Sequence, residues 1–255
     1  IGRKMGAALL LDYQSRFNFG SRTGIDLPNE SSGAIYTLDQ MKDMELASTT
    51  FGQGFTSTMI QEISAVSAVI NGGTYYQPHV VKEIKSQEDG SVLKTNEGNV
   101  LKQIVSSDVS EKIREYMGMS VTSGTSRKSK VQGYSMGGKT GTAEILSTKE
   151  KDYLVSFIGF APLDTPQVVV YVVVDRPNVE EQADSSYAQY IAQAILDEIL
   201  PYMNIYPDEE TEETTKLWDG FKGVLKLDDS EVEVNEPVVQ TEGSETGTNN
   251  AQDIE

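Results

Sequence analysis

Apolar side chains recur at helical spacing in four stretches of this chain and at strand spacing in four others. Residues 1–17 set Met5, Ala8, Leu9, Leu11 and Tyr13 on or near one face, and Asn18 and Gly20 then stop the helix. Residues 57–70 predict a stronger amphipathic helix. Thr58 and Gln61 have the spacing of a capping box, and Asn71-Gly72-Gly73 ends the element. Its apolar face is Met59, Ile60, Ile63, Val66, Val69 and Ile70. Ser107 is placed to cap a third helix reaching about Val121, with Val109, Ile113, Tyr116, Met117 and Val121 turned inward. The fourth runs over 185–200, with Tyr187, Tyr190, Ile191, Ala194, Ile195 and Ile199 on its buried side and Pro201 as its stop.

Val80–Lys85 and Val92–Lys94 flank Glu88-Asp89-Gly90 and predict a hairpin. Two longer β-rich runs, Tyr153–Phe160 and Gln167–Asp175, are separated only by Ala161-Pro-Leu-Asp-Thr-Pro166. A parallel crossover needs a dozen or more residues, so this pair must be antiparallel. Residues 124–138, rich in Gly and Ser, read as mostly loop. The expected class is α/β, an antiparallel sheet flanked by helices. No internal repeat is visible, and the longest apolar run, Val168–Val174, has the length of a strand rather than of a membrane span.

Charge divides the 255 residues unevenly. Of 39 acidic and 21 basic side chains, 15 and 3 fall between Asp208 and Glu255, a net of −12 that leaves −6 on the first 207 residues. The pattern predicts a globular part at 1–207 and an acidic, disordered, solvated tail at 208–255. A net charge of −18 argues against a phosphate-tracking nucleic-acid partner. With no cysteine and only His79, neither a Cys/His zinc site nor a disulfide framework can form, and no cofactor is implied. His79, beside a strand, reads as structural. The chain has no signal peptide and starts at isoleucine, as expected of a piece of a longer protein.

The most informative octapeptide, Gly133-Tyr-Ser-Met-Gly-Gly138-Lys139-Thr140, fits the phosphate-loop pattern at every fixed position. Three physical arguments count against that reading. The preceding Arg127–Gln132 is too polar for a buried strand, Gly141 weakens the helix that should follow, and the sheet beyond is antiparallel. The competing reading makes Lys139-Thr140-Gly141-Thr142-Ala143-Glu144 an edge strand. Lys139 then supplies a fixed cation and the Thr140 and Thr142 hydroxyls bind a substrate carboxylate. Gly141 admits a ligand to the backbone, and the Thr142 N–H faces an oxyanion.

Gly137-Gly-Lys-Thr-Gly-Thr-Ala-Glu144 resembles the third active-site motif of penicillin-binding transpeptidases, the partner of an upstream S-x-x-K and S-x-N. Thr23–Glu30 is similar to the family's loop after the S-x-N helix. Phe51-Gly-Gln-Gly54 through Asn71-Gly-Gly73 and Pro78-His-Val-Val-Lys82 resemble its next conserved block, and Ser156–Pro162 its following strand. The likeness covers about 1–205. Ala143 and Ser156-Phe-Ile-Gly look like the monofunctional class B enzymes.

The resemblance implies the serine β-lactamase/penicillin-binding transpeptidase fold in part, and D,D-transpeptidation of peptidoglycan stem peptides, with β-lactams as inhibitors. It implies a serine-type enzyme on the extracytoplasmic face of the cell membrane, anchored outside this chain. Lys139, Thr140, Gly141 and Thr142 are the expected catalytic group. Gly138, Lys139, Thr140, Thr142 and Glu144 are the expected substrate-binding group, with Glu144 a negative charge near the cleft mouth.

The S-x-x-K at Ser91-Val-Leu-Lys94 follows a hairpin turn, whereas the family's nucleophile must open a buried helix. No S-x-N is present, so the nucleophile and its base lysine are expected upstream and this fragment alone is expected to be inactive. A non-catalytic penicillin-recognising sensor or scaffold fragment is the alternative. Gln53 is either part of the cleft floor or a turn-stabilising amide. Gly124-Thr125-Ser126 resembles the family's short Gly-Thr segment before the third motif but is read rather as a helix C-terminal turn, and Asp26 and Glu30 are read as solvated.

Overall fold

The protein is described from a computed structural model, which covers residues 1–145 and 151–209. Two short helices, α1 (Gly2–Met5) and α2 (Ala7–Arg16), are split at Gly6 rather than continuous over 1–17. Then come α3 (Asp43–Thr49), α4 (Met59–Ile70), β1 (Thr74–Gln77), β2 (Glu83–Lys85), β3 (Val92–Thr95) and β4 (Asn99–Gln103). The described part closes with α5 (Ser107–Thr122), β5 (Gly137–Ile145), β6 (Asp152–Ala161), β7 (Val168–Asp175) and α6 (Ser186–Tyr202). All strand pairs are antiparallel: β1 with β4, β2 with β3, and β5–β6–β7 in that order with β5 at the edge.

α6 covers one face of the three-stranded sheet. Phe157, Ala188 and Ala192 form one cluster with Val170, Val172 and Val174. Leu196 and Leu200 continue the stripe onto Val121, Met136 and Ala161. The buried apolar positions of α6 are therefore Ala188, Ala192, Leu196 and Leu200, one helical step from those the periodicity selects, and Ile195 is exposed. Small alanines let the helix lie close to the sheet, and close approach decides the face more strongly than side-chain size does. Pro201 lies within the last turn instead of ending the helix before it.

α4 carries the capping box as expected: the Thr58 hydroxyl accepts from Gln61 N–H and the Gln61 carboxamide accepts from Thr58 N–H. Its fully buried face differs, being Gln61, Ala65, Ala68 and Ile70, while Met59 is exposed. Gln61 is a polar hub. Its amide nitrogen lies 2.7 Å from the Ser21 carbonyl, 2.8 Å from that of Ser32 and 3.2 Å from that of Asn18, tying residues 18–32 to α4. In α5 the cap is Ser106 rather than Ser107; Ser110, Gly118 and Val121 are fully buried, Ile113 and Met117 half-buried, and Val109 and Tyr116 exposed.

Asp26 is solvent-exposed, as expected, and Glu30 is half-buried, but both carboxylates also act as clamps. Asp26 accepts from the N–H groups of Val80 and Val81, and Glu30 from the N–H and hydroxyl of Thr23 and the N–H of Gly24. The backbone hydrogen bonds from Val80 and Val81 hold the Asp26 carboxyl below its usual range. Burial opposes ionisation of Glu30, but its bonds to Thr23 and Gly24 outweigh burial and lower its pKa. The folded part also runs past 207. Asp208 and Glu209 N–H groups reach the Gly133 carbonyl, and Asp208 accepts from Ser135 N–H at 2.6 Å. The rest of the acidic tail lies outside the described residues.

Candidate active site

β5 owes its edge position to its sequence. Gly137 and Gly138 face aromatic rings of β6: a Cβ on Gly138 would lie 2.5 Å from the Phe157 ring. Only glycine permits that spacing. Gly138 is thus a buried packing residue rather than part of a substrate pocket. Gly137–Thr140 lies in a strand and no helix follows, so this segment cannot cradle phosphate in the manner of a nucleotide-binding loop.

The pleat divides the motif. Lys139, Gly141 and Ala143 stand opposite Ile158, Ser156 and Leu154, whereas Thr140, Thr142 and Glu144 fall on the side covered by α6. The two sets meet at the free edge. There the Lys139 ammonium donates to the Thr140 carbonyl at 2.7 Å, which places that carbonyl on the side away from β6. Alternate residues of an antiparallel strand point their N–H and C=O groups the same way, so the Thr142 N–H also faces outward. The Thr140 hydroxyl lies 3.2 Å from that of Thr125, and the Thr142 hydroxyl donates to the Ala183 carbonyl at 3.4 Å. A cation, two hydroxyls and an unladdered N–H therefore share one strand edge. That is the set needed to hold a carboxylate and stabilise an adjacent oxyanion.

A groove of about 620 Å³ runs along this edge, walled on the far side by Phe51, Gln53 and Phe55. Gln53 thus lines the cleft, in agreement with the first of its two expected roles. Thr125, read as a helix-ending turn, stands at the motif through its hydroxyl. This favours the other reading of Gly124-Thr125-Ser126, its resemblance to the family's Gly-Thr segment, over the helix-ending turn, and the contact spans 15 positions in sequence. Glu144 is exposed on the other side of the pleat and does not line the groove, contrary to its expected place at the cleft mouth. Gly141 lines the groove and is also tightly packed, since a Cβ there would lie 2.5 Å from Ser156 Oγ. Ser91 is exposed at the hairpin and donates to Asp89 at 2.7 Å, well apart in the chain from any helix start.

The acid the sequence reading passed over is Glu62, which lines the groove floor from the first turn of α4. Burial raises its pKa, and the hydrogen bond donated by the Ser57 hydroxyl opposes that rise. Tyr171 of β7 lines the same floor, and its pKa is raised by burial and by the neighbouring Glu62 charge.

Comparison with known proteins agrees with this geometry. Residues 1–197 match the penicillin binding protein transpeptidase domain family. Stage V sporulation protein D of Bacillus subtilis is 38% identical over 227 residues, spanning 88% of this chain and 35% of that protein. Peptidoglycan D,D-transpeptidase MrdA of Acinetobacter baumannii is 30% identical over 196 residues, 68% of this chain and 29% of that protein. Penicillin-binding protein 3 of Mycobacterium tuberculosis, solved in complex with ampicillin, superposes with a TM-score of 0.73 at 25% identity, over 84% of this chain and 50% of that one. The chain spans about a third of the length of these curated relatives. An edge strand bearing Lys139-Thr-Gly-Thr142 against a groove, in a chain matched over most of its folded length, belongs to the penicillin-binding protein transpeptidase family.

Proposed function

We propose that this chain is the C-terminal part of a class B peptidoglycan D,D-transpeptidase whose nucleophilic serine and base lysine lie upstream of Ile1. The observation that carries the reading is the single strand edge on which Lys139, Thr140 and Thr142 converge. In the reaction the serine oxygen attacks the carbonyl between two terminal D-alanines, giving up its proton to the base. The peptide bond breaks, the last D-alanine leaves as an amine, and an acyl-serine ester remains. A stem-peptide amine then attacks that ester, forms the cross-link and returns the serine.

Lys139 and the Thr140 and Thr142 hydroxyls hold the donor's terminal carboxylate, which fixes the scissile carbonyl against the Thr142 N–H. A β-lactam carries a carboxylate beside a strained amide and acylates the same serine. Such a reaction belongs on the extracytoplasmic face of the cell membrane, with an anchor outside this chain. Among the described residues no helix is long and apolar enough to cross a membrane.

Mass spectrometry after treatment with labelled penicillin tests the assignment. The intact transpeptidase domain gains one acyl adduct on an upstream serine, and residues 1–255 alone gain none. Lys139→Ala in the intact domain lowers the acylation rate by roughly 10²–10³, the scale for losing one preorganised charge-stabilising group. Ser91→Ala leaves the rate unchanged. An adduct on any serine of this chain, or none on the intact domain, overturns the reading.

A further inference from the structure

The segment that follows α6 closes on the entry to the active-site strand. Ser135 stands two residues before the first pair of the β5–β6 ladder, Gly137 with Phe160. One carboxylate takes both of its hydrogen-bond donors: Asp208 accepts from the Ser135 N–H at 2.6 Å and from the Ser135 hydroxyl. The hydroxyl oxygen in turn accepts from the Leu163 N–H at 2.9 Å, in the link between β6 and β7. A single serine thus joins the start of β5, the exit of β6 and the segment after α6. We propose that Asp208 is a positioning residue for the transpeptidase reaction, which acts through Ser135 to hold Lys139 and the Thr142 N–H in register with the substrate. The proposal rests on the assignment of that strand edge as the side of the site that binds carboxylate and oxyanion.

The chain between Ser135 and Lys139 is built to transmit the hold. Its three residues are Met136, which is fully buried, and Gly137 and Gly138, which have no side chain to anchor them. A Cβ would lie 2.3 Å from the Phe160 ring at Gly137 and 2.5 Å from the Phe157 ring at Gly138, so the strand lies flush on β6 with little lateral play. Fully extended, the four steps from Ser135 to Lys139 span at most about 14 Å. A misplacement of about 1 Å at reacting groups costs on the order of 10²-fold in rate, so a fraction of that shift is readable in catalysis.

Other contacts keep the segment after α6 in place without the Asp208 carboxylate. The Tyr134 hydroxyl donates to the Ile205 carbonyl at 3.1 Å, and the Asp208 and Glu209 N–H groups reach the Gly133 carbonyl. The Lys130 ammonium bridges the Tyr134 carbonyl and the Glu209 carboxylate. Asp208 is itself exposed, so changing its carboxylate to an amide strands no buried charge. What that change removes is a charge-assisted bond to Ser135, the stronger kind of hydrogen bond.

The test follows acylation of the intact domain by benzylpenicillin, read as the limiting rate constant at saturation and as the burst amplitude. Asp208→Asn keeps an oxygen for the Ser135 N–H but denies the hydroxyl its carboxylate, and Ser135→Ala removes the hydroxyl. Each lowers the limiting rate constant roughly ten-fold while the amplitude stays that of the unmodified domain. The double variant is no slower than the slower single one, because both changes remove the same bond. Ser135→Thr restores the hydroxyl and most of the rate. Glu209→Gln breaks the pair with Lys130 without touching Ser135 and leaves the rate constant unchanged.

A merely structural clamp would lower the amplitude and the thermal midpoint and leave the rate constant of the folded molecules as it was; that result overturns the proposal. Multiplied effects in the double variant, or equal slowing by Glu209→Gln, also overturn it. If the unmodified intact domain is not acylated at all, the transpeptidase reading fails instead, so the two failures are distinct.

Discussion

Gly141 is the position where the active-site strand meets its own sheet, and replacing it by alanine probes the site's geometry directly. A Cβ there would lie 2.5 Å from Ser156 Oγ, nearer than real Cβ contacts come, while the next atom, Ser156 Cβ, lies 3.9 Å away at ordinary contact distance. The clash is with one hydroxyl alone. Overpacking of this kind costs about 1–3 kcal/mol. Gly141→Ala in the intact domain should therefore lower stability by about that amount, as β5 shifts away or the hydroxyl rotates. The same shift moves the Thr142 N–H and slows acylation. Ser156→Ala removes the obstructing oxygen, so Gly141→Ala/Ser156→Ala should recover most of both losses. Equilibrium unfolding in urea gives the stabilities, provided m stays constant across the four proteins, and penicillin acylation gives the rates. The predicted coupling of about 1–2 kcal/mol exceeds the roughly 0.5 kcal/mol within which independent sites add. Additive effects would refute the close approach of Ser156 to Gly141.

Two further outcomes follow from polar groups that tie loops to the core. Glu30→Gln should destabilise the domain by about 1–2 kcal/mol near neutral pH, discounted for the exposure of the site. Because the folded pKa of Glu30 lies below its ordinary 4.5, its contribution is fully present above that value and is lost as pH falls through the folded one. Urea midpoints of the two proteins should thus converge in acid, and a constant gap across pH would refute the ionic clamp. Gln61→Leu leaves the Thr58 N–H and the carbonyls of Ser21 and Ser32 without their partner, and should cost about 2–4 kcal/mol. Thermal unfolding that shifts no further than for an exposed substitution would show that water replaces the hub.

Much of the architecture was legible in the chain because it depends on neighbours in sequence. The capping box at Thr58 and Gln61, the hairpin across Asp89-Gly90 and the antiparallel pairing forced by the short link after Ala161 are all local constraints. The edge-strand motif was legible for the same reason: two glycines before Lys139 and one after it suit a strand pressed against aromatic rings and a serine.

What tertiary packing alone decided is which face each helix buries and which distant groups converge. Hydrophobic periodicity selected Ile191 and Ile195 of α6 and Ile60 and Ile63 of α4. The core took Ala188 and Ala192, Gln61 and Ala65, because small or hydrogen-bonded side chains let backbones approach more closely than branched ones. β1 was overlooked because its partner, β4, lies beyond an intervening hairpin, and such a pairing leaves no mark on either short strand. Thr125 at Thr140, Asp26 at Val80 and Glu62 on the groove floor arise likewise from chain segments far apart in sequence. A hydroxyl or carboxylate looks the same in sequence whether it meets solvent or a partner, and only the fold determines which it meets.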